Sequence, residues 1–138
     1  MTEHRPERCV IVVDQALPPG LAGNAAAVLA LSVGATFSAL PGQDLVDADG
    51  SQHPGLIPMG LPVLAAPGDQ LTQLRAAALD AGLHVVDFPA AGQQTTDYDN
   101  FVAQVARTPT ADLGYLGVAL SGSAKRVRKL TGGFSLLR

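Results

Sequence analysis

Cys9-Val-Ile-Val-Val-Asp14 is the stretch on which the fold turns. Val10 to Val13 are all β-branched, the side chains that pack well on a pleated surface, and the run shows no alternation of polar and apolar positions. A strand with one wet face alternates, whereas a strand apolar on both faces belongs in the middle of a sheet that is covered on each side. The run therefore predicts a first, central strand, closed by Asp14. Downstream, Pro18, Pro19 and Gly20 break the chain. Asn24 to Val33 is then rich in alanine and leucine, with Gly34 placed to end a helix as its C′ glycine. That helix is apolar nearly all round, which suits deep burial or a homodimer interface.

Asp47-Ala-Asp-Gly50 carries hairpin chemistry, while Pro41, Pro54, Pro58 and several glycines prevent long elements, so residues 41–61 are expected to form an edge hairpin or excursion. Pro62 to Ala66 predicts a brief strand. Asp69 to Ala81 predicts a helix with Leu71, Leu74 and Ala78 on one face, Asp69 as N-cap and Gly82 as stop. Leu83 to Phe88 predicts another buried strand and Pro89 to Gln94 a loop. Thr96 then caps a helix carrying Tyr98, Phe101, Val102 and Val105, Leu113 to Leu120 is the last strand, and Ser123 caps a short helix through Leu130. Strands alternating with helices predict one compact α/β domain over residues 1–138, a mixed sheet of four or more strands flanked by helices, with residues 1–8 as a flexible N-terminus.

Composition narrows the function classes. With 47% hydrophobic and 15% charged residues in 138, the chain is neither disordered nor held open by self-repulsion, and it is long enough for one core. A formal charge of −3 gives no global attraction to nucleic acid, so any RNA contact must rest on a local patch. Cys9 is the one cysteine; this excludes an intrachain disulfide and a multi-thiolate metal site, and suits a reducing compartment. The N-terminus is polar and charged, and the apolar stretch Ala25 to Val33 is too short to span a bilayer. The expectation is a cytoplasmic protein with no membrane partner and no cofactor.

Two stretches together resemble the type-two peptidyl-tRNA hydrolases. Cys9 to Asp14, Leu17-Pro-Pro-Gly20 and Ala25-Ala26 are similar to that family's opening strand, glycine turn and first helix; Tyr115-Leu-Gly-Val118, Lys129-Leu-Thr-Gly132 and Leu136 are similar to its closing strand and terminal signature. Gly82-Leu83 through Ala91-Gly92 is a weaker match to the strand before the family's Asp-Ala-Gly-Arg-Thr loop. The whole pattern, with Asp47 to Gly50 and His53, is still more similar to bacterial domains of unknown function assigned to the same fold. The resemblance implies a peptidyl-tRNA hydrolase-like scaffold and a homodimer. It also shows what is missing: the family's lysine and histidine on the first helix fall on Gly23 and Ala30, and its loop aspartate, arginine and threonine fall on Ala90, Gln93 and Gln94, with Thr95 able to slide into the last role. General acid–base catalysis needs a titratable group in reach of the reacting centre, and this copy lacks the expected ones.

Other candidates compete with blander readings. Asp44, Asp47, Asp49 and His53 suggest metal ligands, but Pro58 stands where a calcium loop needs its closing glutamate, and a solvated turn is favoured. Gly117 to Lys125 is no phosphate-binding loop, because Ser123 follows Gly122 where lysine is required. Lys125, Arg126, Arg128 and Lys129 read first as a solvated helix face, and second as a patch for a small anionic ligand or an RNA backbone. Cys9 reads as an inert small hydrophobe. Asp87 ends a strand, where ligand sites of α/β sheets tend to lie; His84 alternates with it and has no evident partner.

The favoured function is a ligand-binding or otherwise specialised non-hydrolase, with an anion-binding cleft from Asn24, Gln94, Thr95, Ser123 and Lys129. The alternative is a hydrolase of peptidyl-tRNA or another acyl ester or amide with a rebuilt site, in which Asn24, Asp87 and Thr95 or Thr96 take over the missing roles.

Overall fold

The computed structural model describes residues 5–93 and 95–138. The chain runs β1 (Arg8–Asp14), α1 (Pro19–Thr36), β2 (Leu45–Val46), β3 (Gln52–His53), β4 (Val63–Ala66), α2 (Gly68–Asp80), β5 (His84–Pro89), α3 (Tyr98–Ala106), β6 (Tyr115–Gly122), α4 (Ala124–Thr131) and β7 (Ser135–Leu136), with 3-10 turns at Ala90–Gln93 and Thr110–Asp112. Five strands form a mixed sheet in the order β5-β6-β1-β4-β7. β1 is central, as its two apolar faces require. It pairs in parallel with β4 and antiparallel with β6.

Alternation along β1 divides the core. Val10 and Val12 pack with Leu71, Leu74 and Ala78 of α2 and Val127 of α4. Cys9, Ile11 and Val13 pack on the other face with Ala25, Leu29 and Val33 of α1 and with Phe37 and Leu40 beyond it. α1 and the α2–α4 pair thus lie on opposite faces of the sheet.

α1 is longer than Asn24 to Val33. Pro19 occupies the first turn, where a missing N–H costs nothing, and Gly34 keeps a helical backbone, so the helix ends only at Phe37. At 18 residues it is long and apolar enough to cross a membrane by length and composition, contrary to the shorter stretch expected, while Ala22, Ala25, Leu29 and Val33 are buried against the sheet. α2 starts one residue before the predicted Asp69, at Gly68. Pro67 is its N-cap, and Asp69 instead places its charge in the first turn. In α3 Asp97, not Thr96, is the cap, accepting from the Asp99 N–H at 2.9 Å.

Residues 41–61 do not join the main sheet. β2 and β3 pair as a separate exposed ribbon whose turn is organised by Asp47, and its base is closed by Gly42 N–H to the Leu56 carbonyl at 2.8 Å and Gly55 N–H to Asp44 Oδ1 at 3.0 Å. A Cβ on Gly55 would run into the Gly42 carbonyl, so glycine is required there. The N-terminal stretch is tied down at Arg5, which donates to the Ala39 and Pro41 carbonyls, and at Glu7, which accepts from Ala124 N–H.

Candidate functional site

A groove of about 470 Å³ opens between α1, the C-terminal half of β5 and the start of α3. Its size lies within the range of small-molecule sites, roughly 300–1,000 Å³. Leu29, Val86 and Phe88 make an apolar floor, Val28 and Ser32 one wall, and Tyr98 and Phe101 the other; Thr95, Thr96 and Asp97 rim it. Gly92 is needed between the two phenyl rings, since a Cβ there would lie 3.3 Å from Phe101 and still closer to Phe88. α3 buries none of its residues: Tyr98 is 75% exposed and Val102 49%.

The structure divides the residues singled out from sequence: Asp87, Thr95 and Thr96 border the groove, whereas α4 with Ser123 and Lys129 packs on the other face of the sheet. Asn24 is exposed one turn before Val28, on the same stripe of α1 as Val28 and Ser32, and so lies beside the groove. Thr95 lines the rim and donates to the Ala91 carbonyl at 3.4 Å. Gln94 lies outside the described residues. Ser123 and Lys129 belong elsewhere: α4 packs on the α2 face, so the sheet separates it from Asn24 and Thr95, and the expected common anion cleft is not formed. The α4 N-terminus is also already answered by protein. Ser123 accepts from Arg126 N–H at 3.4 Å, and Glu7 Oε1 accepts from Ala124 N–H at 3.1 Å, putting a carboxylate where an anion would sit. Arg126 Nη1 donates to the Ala81 carbonyl at the end of α2, while Lys125, Arg128 and Lys129 are exposed.

Asp87 has a partner that sequence reading missed. Val86 and Phe88 face α1; Asp87, between them, points to the α2 face and accepts from Arg75 Nε at 2.7 Å. Its hydrogen bond to Asp87 raises the Arg75 guanidinium above its ordinary value. The guanidinium carbon lies 5.7 Å from the centre of the Tyr115 ring, a cation–π arrangement. Tyr115 is 3% exposed and its hydroxyl is buried with no hydrogen-bond partner, so burial pushes it up, countered by Arg75 and reinforced by Asp87. A carboxylate held this way is a structural ion-pair partner, although Asp87 also borders the groove that Thr95 rims. Asp87 accepts from Arg75 while Thr95 donates to the Ala91 carbonyl, so the two border one groove without being paired to each other.

A second polar row crosses the other face. Cys9, Ser121 and His84 are direct cross-strand neighbours on β1, β6 and β5. Ser121 Oγ donates to Cys9 Sγ at 3.2 Å, and burial, outweighing that hydrogen bond, raises the thiol above its usual range, which makes it a poor nucleophile. His84 packs edge-on against Phe37 with ring centres 5.1 Å apart, and its buried Nδ1 has no hydrogen-bond partner. Burial holds its pKa below the ordinary 6.5. The unfolded chain therefore binds the proton first, so stability is complete above the unfolded value and is lost as pH falls through it towards the folded pKa. We expect the urea midpoint to drop between about pH 7.5 and about pH 5.5, and His84→Gln to flatten that drop relative to wild type. An unchanged slope in the variant would remove His84 as its cause.

At the hairpin, Asp47 Oδ1 accepts from the Asp49 and Ser51 N–H groups at 3.0 Å, and Oδ2 lies 2.9 Å from His53 Nε2. The His53 contact and these amides hold the Asp47 carboxyl below its usual range. Both its oxygens are engaged within the hairpin. Among the described residues no group of three or more His, Cys, Asp or Glu is placed to hold a metal ion.

No curated protein matches the chain in sequence. Among solved structures it is similar to a protein of unknown function from Agrobacterium tumefaciens strain C58, with a TM-score of 0.85, 18% identity, and coverage of 94% of this chain and 96% of that one. At that identity the likeness speaks to the fold. Residues 7–138 match the model of the family described as protein of unknown function, DUF2000, and the chain belongs to that family.

Proposed function

We propose that this protein is a small-molecule-binding domain whose ligand lies in the groove between α1, β5 and α3, on a peptidyl-tRNA hydrolase-like scaffold that has given up hydrolysis. One observation carries the reading: the groove has an apolar floor and a hydroxyl-bearing rim, while Asp87, the strand carboxylate that borders it, is engaged by Arg75. A ligand suited to it has an apolar body and an uncharged hydrogen-bonding group. Support for the scaffold comes from the motif resemblance at Cys9–Asp14 and Lys129–Gly132, and support for lost chemistry from Gly23 and Ala30, which bring no proton-carrying group to α1.

Two measurements test the proposal. Small uncharged aromatic amides and alcohols, screened by amide chemical shifts, should perturb Ser32, Thr95 and Thr96, and Val28→Trp should abolish the response; Val28 is 40% exposed, so the change is compatible with folding. In parallel, single-turnover deacylation of an N-blocked aminoacyl-tRNA with protein in excess should give no release above the protein-free control. Release lost in Asp87→Ala and Thr95→Ala variants would establish the rebuilt hydrolase instead.

A further inference from the structure

We propose that the pocket on the other flank of α1 binds a medium-chain aliphatic carboxylate, with its hydrocarbon tail inside and its carboxylate at Arg5. This pocket holds about 250 Å³ between the C-terminal half of α1 and the segment that follows it. Cys9, Val33 and Phe37 form its floor and Ile57, Met59 and Leu61 its outer wall. No charged side chain lines it. An apolar tail that fills such a space gives its walls dispersion contacts that they otherwise lack.

Small residues keep the space open. Ala30 and Gly34 line it from α1, and a Cβ built on Gly34 meets no atom within 4 Å. The mouth lies at Gly34, Ser38 and Pro41, which are exposed. Beside it stands a positioned cation: Arg5 Nε donates to the Ala39 carbonyl at 2.6 Å and Nη2 to the Pro41 carbonyl at 3.1 Å, on either side of Leu40 in the pocket wall. These bonds fix the guanidinium at the rim and leave further N–H donors of its fork. Among the described residues no carboxylate pairs with Arg5. An uncharged interior with one anchored cation at the entrance is complementary to an amphipathic anion with a single acidic head.

Hexanoate, octanoate and octanol are the probes, titrated into the full chain by calorimetry and followed by amide shifts. Affinity should rise about fourfold per methylene while the tail is still being buried. The shifts should appear at Gly34, Ser38 and Leu61 and spare Ser32 and Thr95. Arg5→Gln should weaken octanoate about tenfold, the worth of a charge-assisted contact at a partly wet site, and leave octanol within about twofold. Ala30→Phe fills the pocket and should abolish binding of both; Gly34→Leu, at an exposed helical position, repeats the test without risk to the core. Shifts confined to the Ser32 and Thr95 groove, no dependence on chain length, or octanoate binding indifferent to Arg5→Gln would each overturn the assignment. Failure of the groove proposal would not, because the two pockets lie on different flanks of α1.

Discussion

Gly117→Val is expected to lower the melting temperature by about 10 °C, taking about 3 kcal/mol for overpacking and about 3 °C per kcal/mol for a chain of this size. Gly117 sits on β6 opposite Val13 of β1 and Phe88 of β5. A Cβ there would lie 2.9 Å from Leu29 Cδ1, 3.0 Å from the Val12 carbonyl oxygen and 3.3 Å from Val13 Cγ1. Leu29 can change rotamer; the Val12 carbonyl is fixed in the ladder at the centre of the sheet, so the strain has no soft outlet. Leu29→Ala alone leaves a cavity and should cost about 2–5 kcal/mol. Combined with Gly117→Val it should cost less than the sum, because the new side chain enters the space vacated. Calorimetric melting of the two single variants and the double variant checks this, and strict additivity would show that Leu29 is not what limits α1's approach to the sheet.

The second large effect lies at Arg75 and Asp87. Their side chains are 27% and 24% exposed, so each is held mostly out of water by the other's presence. Arg75→Met leaves the Asp87 carboxylate without its partner beneath α2 and should destabilise by about 2–3 kcal/mol, somewhat under the cost of breaking a fully buried pair. Asp87→Leu should cost a similar amount for the converse reason. The double variant should recover most of the loss, since apolar groups of similar volume need no solvation in that place. Urea unfolding of the four proteins gives the coupling directly. A double variant as unstable as the sum would mean that the contacts of Arg75 with Tyr115, and not the ion pair, hold this corner.

These two sites show how unevenly the molecule could be read in advance. The central strand was legible because a two-sided apolar run has one home in an α/β domain, and α2, α3 and α4 because helical period is a local property, although the caps expected for α2 and α3 fell one or two residues from the true ones. Ser123 caps α4 by a contact three residues long. Asp87 was legible as a strand-end carboxylate but not as an ion-pair partner, since Arg75 lies twelve residues away on another element and no spacing rule links a helix face to a strand face. Tyr115 misleads further. The register shift at Phe88/Pro89 lets Leu116 and Gly117 both face α1, and this throws Tyr115 to the α2 side, opposite to what uninterrupted alternation would assign.

Local chemistry thus determined the elements and the central place of β1: β-branched bulk, proline and glycine breaks and side-chain caps act within a few residues and are written in order along the chain. Tertiary structure alone decided which polar groups meet. Whether Asp87 meets Arg75, whether α4 shares a cleft with Asn24, and whether Arg5 reaches the mouth of a pocket formed by Cys9 and residues 30–61 all depend on sheet order and on one bulge, and these are settled by the packing of the whole core on both faces of the sheet.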